Sequence, residues 1–109
     1  HMASVLLPYE NEGVEKIIGC VTMVLNQYNG VAAYQLRGMV TDPDYQGCYL
    51  GSHLLRALEA EVRKQQVHLL WCNARESAVG FYEKNGWETD SNLFNIHGVG
   101  LHKIMCKSI

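Results

Sequence analysis

An apolar run at residues 36–41 stops at Asp42-Pro43-Asp44. The chain then passes through the glycine-spaced segment Tyr45-Gln46-Gly47-Cys48-Tyr49-Leu50-Gly51-Ser52 into leucines at helical spacing. This order restricts the fold more than any other feature of the chain. Pro43 has no N–H to give to a ladder and drives Asp42 out of helical geometry, so a strand must end there. Leu54, Leu55, Leu58 and Val62 recur with a helical period, with Arg56, Glu59 and Arg63 opposite them. That pattern predicts a helix over 51–66 that buries one stripe against a sheet. Residues 67–74 read as a strand with few polar positions, as expected of one covered on both faces. Strand, helix and strand in succession make a right-handed parallel crossover. The glycine-spaced loop then lies at the carboxyl end of the first strand, where amides at a helix mouth suit a phosphate.

The remaining segments extend the sheet with antiparallel neighbours. Residues 4–8 read as a short strand, Asn11-Glu12-Gly13 as a polar turn and 16–27 as a long strand. Asn29-Gly30 is a hairpin signal leading into a strand over 33–41. Residues 76–85 predict a shorter helix, with Glu76 in its first turn, Lys84 in its last and Asn85-Gly86 as a left-handed stop. Ala78, Phe81 and Tyr82 share one face of it. Residues 87–94 and 99–107 read as a closing antiparallel pair joined through Asn95-Ile96-His97-Gly98. The predicted class is α/β (α+β), a mixed and mostly antiparallel sheet around a central parallel strand-helix-strand crossover. In such sheets ligands bind beyond the carboxyl ends of the parallel strands.

With 109 residues, the chain holds one domain, read here as residues 3–109 after a His1-Met2 tag remnant. A net charge of −2, with scattered Lys and Arg, argues against nucleic acid as a partner. No apolar run approaches a membrane span, and no signal segment is evident, so the expected home is cytoplasmic. Cys20, Cys48, Cys72 and Cys106 form no C-x-x-C pair and have no histidine spaced for zinc, so free thiols and no metal are expected. Cys20, Cys72 and Cys106 fall in predicted strands and read as small buried hydrophobes. Cys48 lies in the loop, and no recognisable His or Asp pairing pattern around it marks it as a nucleophile.

Two blocks, residues 37–55 and 69–88, resemble the acetyl-coenzyme A binding core of the GNAT (Gcn5-related) N-acetyltransferases. The family loop has the form Gln/Arg-x-x-Gly-x-Gly/Ala. Here Gln46 and Gly51 match, whereas Tyr49 stands where the family usually has its first motif glycine. The second block supplies Asn73-x-x-x-x-Ala78-x-x-Phe81-Tyr82-x-x-x-Gly86-Trp87. The resemblance implies that acetyl-coenzyme A is the co-substrate, with the pyrophosphate on the loop amides of Gln46, Gly47, Cys48, Tyr49, Leu50, Gly51 and Ser52. It implies a strand bulge at Met39, Val40 and Thr41 whose amides pair with the pantetheine. It puts Asn73 on the pantetheine arm, Ala78 beside the cofactor and Tyr82 as the general acid. A phenol with an ordinary pKa near 10 stays protonated at neutral pH.

Each of these roles has a plain structural alternative. Asn73 is equally a cap for the following helix, and Tyr82 a core aromatic with a surface hydroxyl. His102, in a glycine-rich stretch of the closing strands, is the candidate general base, or else a structural strand histidine. Arg37 and Arg75 flank the blocks and either hold an acidic substrate group or pair with carboxylates. Asp42 reads as a turn residue rather than a base.

Members of the family usually begin with a strand and two helices before the hairpin, and this chain opens close to their second strand. It therefore reads as an N-terminally shortened form, either a truncated chain or a naturally short one whose pocket a second copy completes, and a homodimer is the expectation. The function implied is transfer of acetyl to a primary amine, of a peptide or small molecule, directly within a ternary complex. The alternative is a non-catalytic acyl-coenzyme A binding module. The sequence does not single out an acceptor.

Overall fold

The computed structural model describes residues 2–45 and 49–109. Its elements run β1 (Met2–Asn11), β2 (Val14–Leu25), β3 (Tyr34–Thr41), α1 (Leu50–Lys64), β4 (Leu69–Arg75), α2 (Val79–Lys84), β5 (Glu88–Thr89), β6 (Phe94–Ile96) and β7 (Gly100–Ser108). One sheet has the order β1-β2-β3-β4-β7-β5, with β6 also pairing β7. The β3–β4 pair is parallel and every other pair antiparallel, which is the mixed sheet expected around the crossover. Asn29 (φ 49°) and Gly30 (φ 79°) both take positive φ between Tyr28 and Val31, the tight hairpin turn that this dipeptide favours.

Three stretches differ from the sequence reading. β1 is longer than 4–8 because it pairs with β2 from Met2 opposite Val24 to Asn11 opposite Val14. A register irregularity beside Pro8 accommodates the missing N–H on this edge strand. Residues 76–85 are not one helix: a 3-10 turn, Glu76–Ala78, precedes α2. Residues 87–94 do not form one strand. Trp87 is instead drawn into the core against Tyr82, at a ring separation of 5.1 Å. The Asp90 N–H then bonds the Ile104 carbonyl as the chain leaves the sheet, to return as β6. Asn95 and Ile96 accordingly belong to β6, and residues 97–99 make the turn into β7.

Both helices cover the same face of the sheet. Leu54, Leu55, Leu58 and Val62 of α1 are fully buried among Val21, Met23, Leu36, Leu70, Cys72 and Met105. Each contributes roughly 1.5–3 kcal/mol by burial. Glu59, read above as a solvent-face residue, is buried, because the Lys107 amine of β7 reaches its carboxylate at 3.1 Å. On β4, Leu70, Cys72 and Ala74 turn to the helices, while Trp71, Asn73 and Arg75 turn to the opposite face. Of the three strand cysteines described, Cys72 is buried, whereas Cys20 and Cys106 are only half-buried.

Candidate active site

The parallel pairing of β3 with β4 lasts for two positions, Tyr34 beside Leu70 and Gln35 beside Trp71, and then ceases. β3 stays paired to β2 as far as Thr41, and β4 to β7 as far as Arg75. The inner edges of the two strands therefore part while their outer edges stay in the sheet. Register supplies the cause: Thr22 opposes Gly38 and Met23 opposes Leu36, so Arg37 is one extra residue in β3. A bulge sharpens local twist and bends its strand. It falls at Arg37, not at the expected Met39, Val40 and Thr41.

A cleft of about 590 Å³ opens between the parted strands. Its walls include Leu36, Arg37, Gly38, Met39 and Thr41 from β3, Gly51 from α1, and Cys72, Asn73, Ala74 and Arg75 from β4. Ala78, Phe81 and Tyr82 close it from the second helix segment. The fold thus brings together Met39, Thr41, Gly51, Asn73, Ala78 and Tyr82 of the residues singled out in the sequence. Val40 points away and is exposed, as alternation along the strand requires. Gln46, Gly47 and Cys48 lie outside the described residues.

The mouth of α1 adjoins the cleft through Gly51. The first backward bond of the helix runs from the His53 N–H to the Tyr49 carbonyl, 3.1 Å, so the amides of Leu50, Gly51 and Ser52 find no acceptor inside α1 itself. Leu50 itself turns into the core, and the Ser52 side chain does not reach the cleft. Tyr49 takes a left-handed conformation, φ 58°, which explains why a glycine suits that position. Its ring is exposed and lies 5.8 Å from the Lys84 amine, outside the cleft. At Gly51 the close neighbour is Phe81: a Cβ there would come within 2.9 Å of the ring.

Tyr82 is 8% exposed, packed edge-on against Phe81 and Trp87. Burial, and then the neighbouring Cys72 thiol, push its phenol well above the usual range, so the hydroxyl keeps its proton. Cys72, 2% exposed, is likewise raised by burial, to about 12, and is a thiol rather than a thiolate at neutral pH. The sequence reading missed this pair. A cysteine ten residues before Tyr82 carries no pattern that marks it as its neighbour, since the contact is made across elements.

Asn73 lines the cleft and caps neither the 3-10 turn nor α2, both of which lack a side-chain cap bond. Asp42 is a turn residue, accepting from the Asp44 N–H and pairing with Lys16 at 2.9 Å. That pairing depresses its carboxyl below the usual range. His102 is not brought to the cleft. It opposes Arg75 in the β4–β7 register, on the sheet face away from Tyr82, and is 4% exposed beside the Phe94 ring. Its Nδ1 donates to the Gly100 carbonyl at 2.8 Å, which fixes the ring in the strand-end turn.

Among the described residues no three metal-ligating side chains gather, and no helix is long and apolar enough to cross a membrane.

A family model described as an acetyltransferase (GNAT) domain matches residues 4–89. An uncharacterized N-acetyltransferase of Bacillus subtilis (strain 168), YitI, is 38% identical over 78 residues, covering 72% of this chain and 52% of that protein. The chain thus spans about half the length of this relative. A crystal structure described as an N-acetyltransferase from Lactobacillus plantarum superposes with a TM-score of 0.80 at 19% identity, covering 96% of this chain and 67% of that one. An aminoglycoside 6'-N-acetyltransferase solved with coenzyme A gives 0.73 at 15% identity, covering 96% and 72%.

Proposed function

This chain belongs to the GNAT acetyltransferase family, and from that premise we propose that its cleft transfers acetyl from acetyl-coenzyme A directly to a primary amine. The observation that carries the proposal is the unzipped seam between β3 and β4. Backbone N–H and C=O groups on the inner edges of residues 36–41 and 72–75 have no strand opposite them. Backbone groups that no strand pairs are open to a ligand, and an extended amide-bearing arm can pair with them as a strand would. The leading amides at the mouth of α1 and the space preserved by Gly51 suit the diphosphate end of the same molecule. Leu36, Met39, Ala78 and Phe81 give the arm an apolar lining.

In this reading Tyr82 holds a proton for the departing sulfur. The C–S bond of the thioester breaks as the amine nitrogen bonds to the acetyl carbon, the phenol donates to the thiolate, and the proton shed by the nitrogen returns to the Tyr82 phenolate, which restores the phenol. Its raised pKa makes it a poor acid in water, but a thiolate leaving in the same dry cleft is itself a stronger base there. Direct transfer is favoured over an acyl-cysteine route because Cys72 is protonated and lies beside no base. The amine enters uncharged: the Arg37 and Arg75 guanidiniums at the cleft disfavour an ammonium between them. The acceptor is a small molecule or a peptide. We read the protein as cytoplasmic, and as a homodimer in which a second copy completes the acceptor side of the pocket. Light scattering that finds only monomer at tens of micromolar removes the dimer.

Calorimetry with coenzyme A, acetyl-coenzyme A, ATP and NAD tests the site, and should give binding to the first two alone. Tyr82→Phe should lower kcat by about 10²–10⁴ while leaving acetyl-coenzyme A binding within about threefold. Full kcat in that variant removes the acid role. Tight coenzyme A binding with only slow hydrolysis across an amine panel selects the non-catalytic acyl-coenzyme A module instead.

A further inference from the structure

We propose that Arg37 and Arg75 form a carboxylate subsite on the acceptor side of the cleft, so that the amine acetylated here carries a carboxylate of its own. The inference rests on the acetyl-transfer reading above and names its substrate class.

The two arginines stand on opposite banks. Arg37 is the bulge residue of β3 and Arg75 the last residue of β4, and both line the space where the strands part. Both lie on the sheet face turned away from the helices. The Arg37 Nη1 donates to the Gln35 Oε1 at 3.4 Å, and Gln35 is the register neighbour of the outward-turned Trp71. Arg75 follows Trp71 and Asn73 in the alternation of β4. The α1 mouth and Gly51 approach the cleft from the helix face, so the two arginines are left for the molecule entering from the other.

The alternative of internal ion pairing fails on inspection. Lys16, Arg63, Lys64 and Lys107 each have a carboxylate partner. Neither Arg37 nor Arg75 does among the described residues, nor do Arg56, Lys84 and Lys103, but of these five only Arg37 and Arg75 line the cleft, and Gln46, Gly47 and Cys48 bring no acid. Nor does any Asp or Glu line the cleft; Glu76 borders only the neighbouring depression with Arg75 and Ser77. Two arginines on the walls of one cleft, with no carboxylate partner and no acid lining it, make a local field that favours an oxyanion. The planar fork of arginine matches a carboxylate in two-point contact.

The test is initial-rate kinetics with acetyl-coenzyme A and straight-chain ω-amino acids of increasing length, plus α-amino acids, each beside its carboxamide. At the fitting length the acid should exceed its amide in kcat/KM by tenfold or more, chiefly through the acceptor KM. Arg37→Gln and Arg75→Gln should each collapse that ratio towards one, with Arg37→Lys retaining part of it and KM for acetyl-coenzyme A unchanged within about twofold. Acetylation of acids and amides at equal kcat/KM overturns the subsite while leaving the transferase reading intact. So does a rise in acetyl-coenzyme A KM, in place of acceptor KM, in the arginine variants, which assigns the guanidiniums to the cofactor phosphates. If no amine is acetylated, the transferase reading falls, and calorimetry on coenzyme A-saturated protein decides the subsite. Binding of N-acetyl amino acids over their amides, lost in Arg37→Gln, supports it, and equal or absent binding overturns it.

Discussion

Lys107 is the residue whose loss should cost the most for the fewest atoms removed. Its amine lies 3.1 and 3.2 Å from the two carboxylate oxygens of Glu59 and donates to the Asn85 carbonyl at 2.9 Å. One side chain on β7 therefore ties α1, which carries Gly51, to the end of α2, which carries Tyr82. The Glu59 side chain is 8% exposed and that of Lys107 24%. In Lys107→Met the carboxylate stays buried with only Arg63 near, at 3.8 Å and half in solvent. Breaking a buried pair in this way costs about 3–5 kcal/mol. Arg63 offsets part of that, and the lost bond to the Asn85 carbonyl adds about 1 kcal/mol. We expect a net loss of about 3 kcal/mol, a large share of the roughly 5–15 kcal/mol that holds a domain of this size. Glu59→Leu should cost less, because Lys107 keeps the Asn85 carbonyl and reaches water. The double variant Glu59→Leu/Lys107→Met should recover most of the loss, since an apolar pair of similar volume replaces the ions. Urea titration followed by far-ultraviolet circular dichroism measures all three, with the m-value as the check on two-state behaviour. A loss under about 1 kcal/mol in Lys107→Met, or a double variant as unstable as the sum of the singles, refutes the reasoning.

Gly51→Ala should gain up to about 1 kcal/mol of helix propensity and lose a similar amount to the 2.9 Å approach on Phe81. Stability then changes little while the narrowed cleft weakens coenzyme A binding about tenfold, read by calorimetry; unchanged affinity says that Phe81 moves freely. Tyr49→Gly should stabilise by up to about 1 kcal/mol, because it relieves a left-handed side-chain residue that makes no core contact, and a lower urea midpoint contradicts this. Cys72 is held neutral up to about 12 when folded but ionises near its ordinary value of 9.0 when unfolded, so its stabilising share is intact below pH 9 and lost as pH rises from there. Urea midpoints between pH 8 and 11 should fall less steeply in Cys72→Ala than in the parent chain, with Tyr82 sustaining the remaining slope above pH 10; parallel curves defeat the assignment.

What could be read in advance followed from local rules. The leucine stripe of α1, the stop at Asp42-Pro43 and the Asn29-Gly30 turn each depend on residues close in sequence. The sites of disagreement depend on partners far along the chain. Trp87 has the composition of a strand residue, but the ring of Tyr82 offers it more burial than a place beside β7. Glu59 sits at a polar position of the helical wheel and is buried only because Lys107, 48 residues later, meets it. His102 has a suitable ring for a base, but register sets it beside Arg75 and outside the cleft wall, and no local pattern reveals which way a strand residue points. The cleft itself was inferred from resemblance, whereas the residue that opens it had no signature: an arginine reads the same in a regular strand and in a bulge.

That arginine links the fold to the chemistry. Without an extra residue opposite β2, β3 would continue straight beside β4, and the pairing begun at Tyr34 and Gln35 would extend to the strand ends. With it, β3 keeps its bonds to β2 on one edge and turns the other edge away from β4, so the sheet stays whole while one seam opens. The bulge also displaces one side chain from the alternation, and the side chain displaced is a guanidinium held by Gln35 at the lip of that seam. The same inserted residue thus opens the space for the donor and sets a positive charge where the acceptor arrives. Tyr82, raised by burial on the opposite side of the gap, keeps its proton there. Geometry and charge at this site are therefore coupled through one backbone irregularity, so substitutions that spare the bulge, such as Arg37→Gln, separate the electrostatic contribution from the steric one.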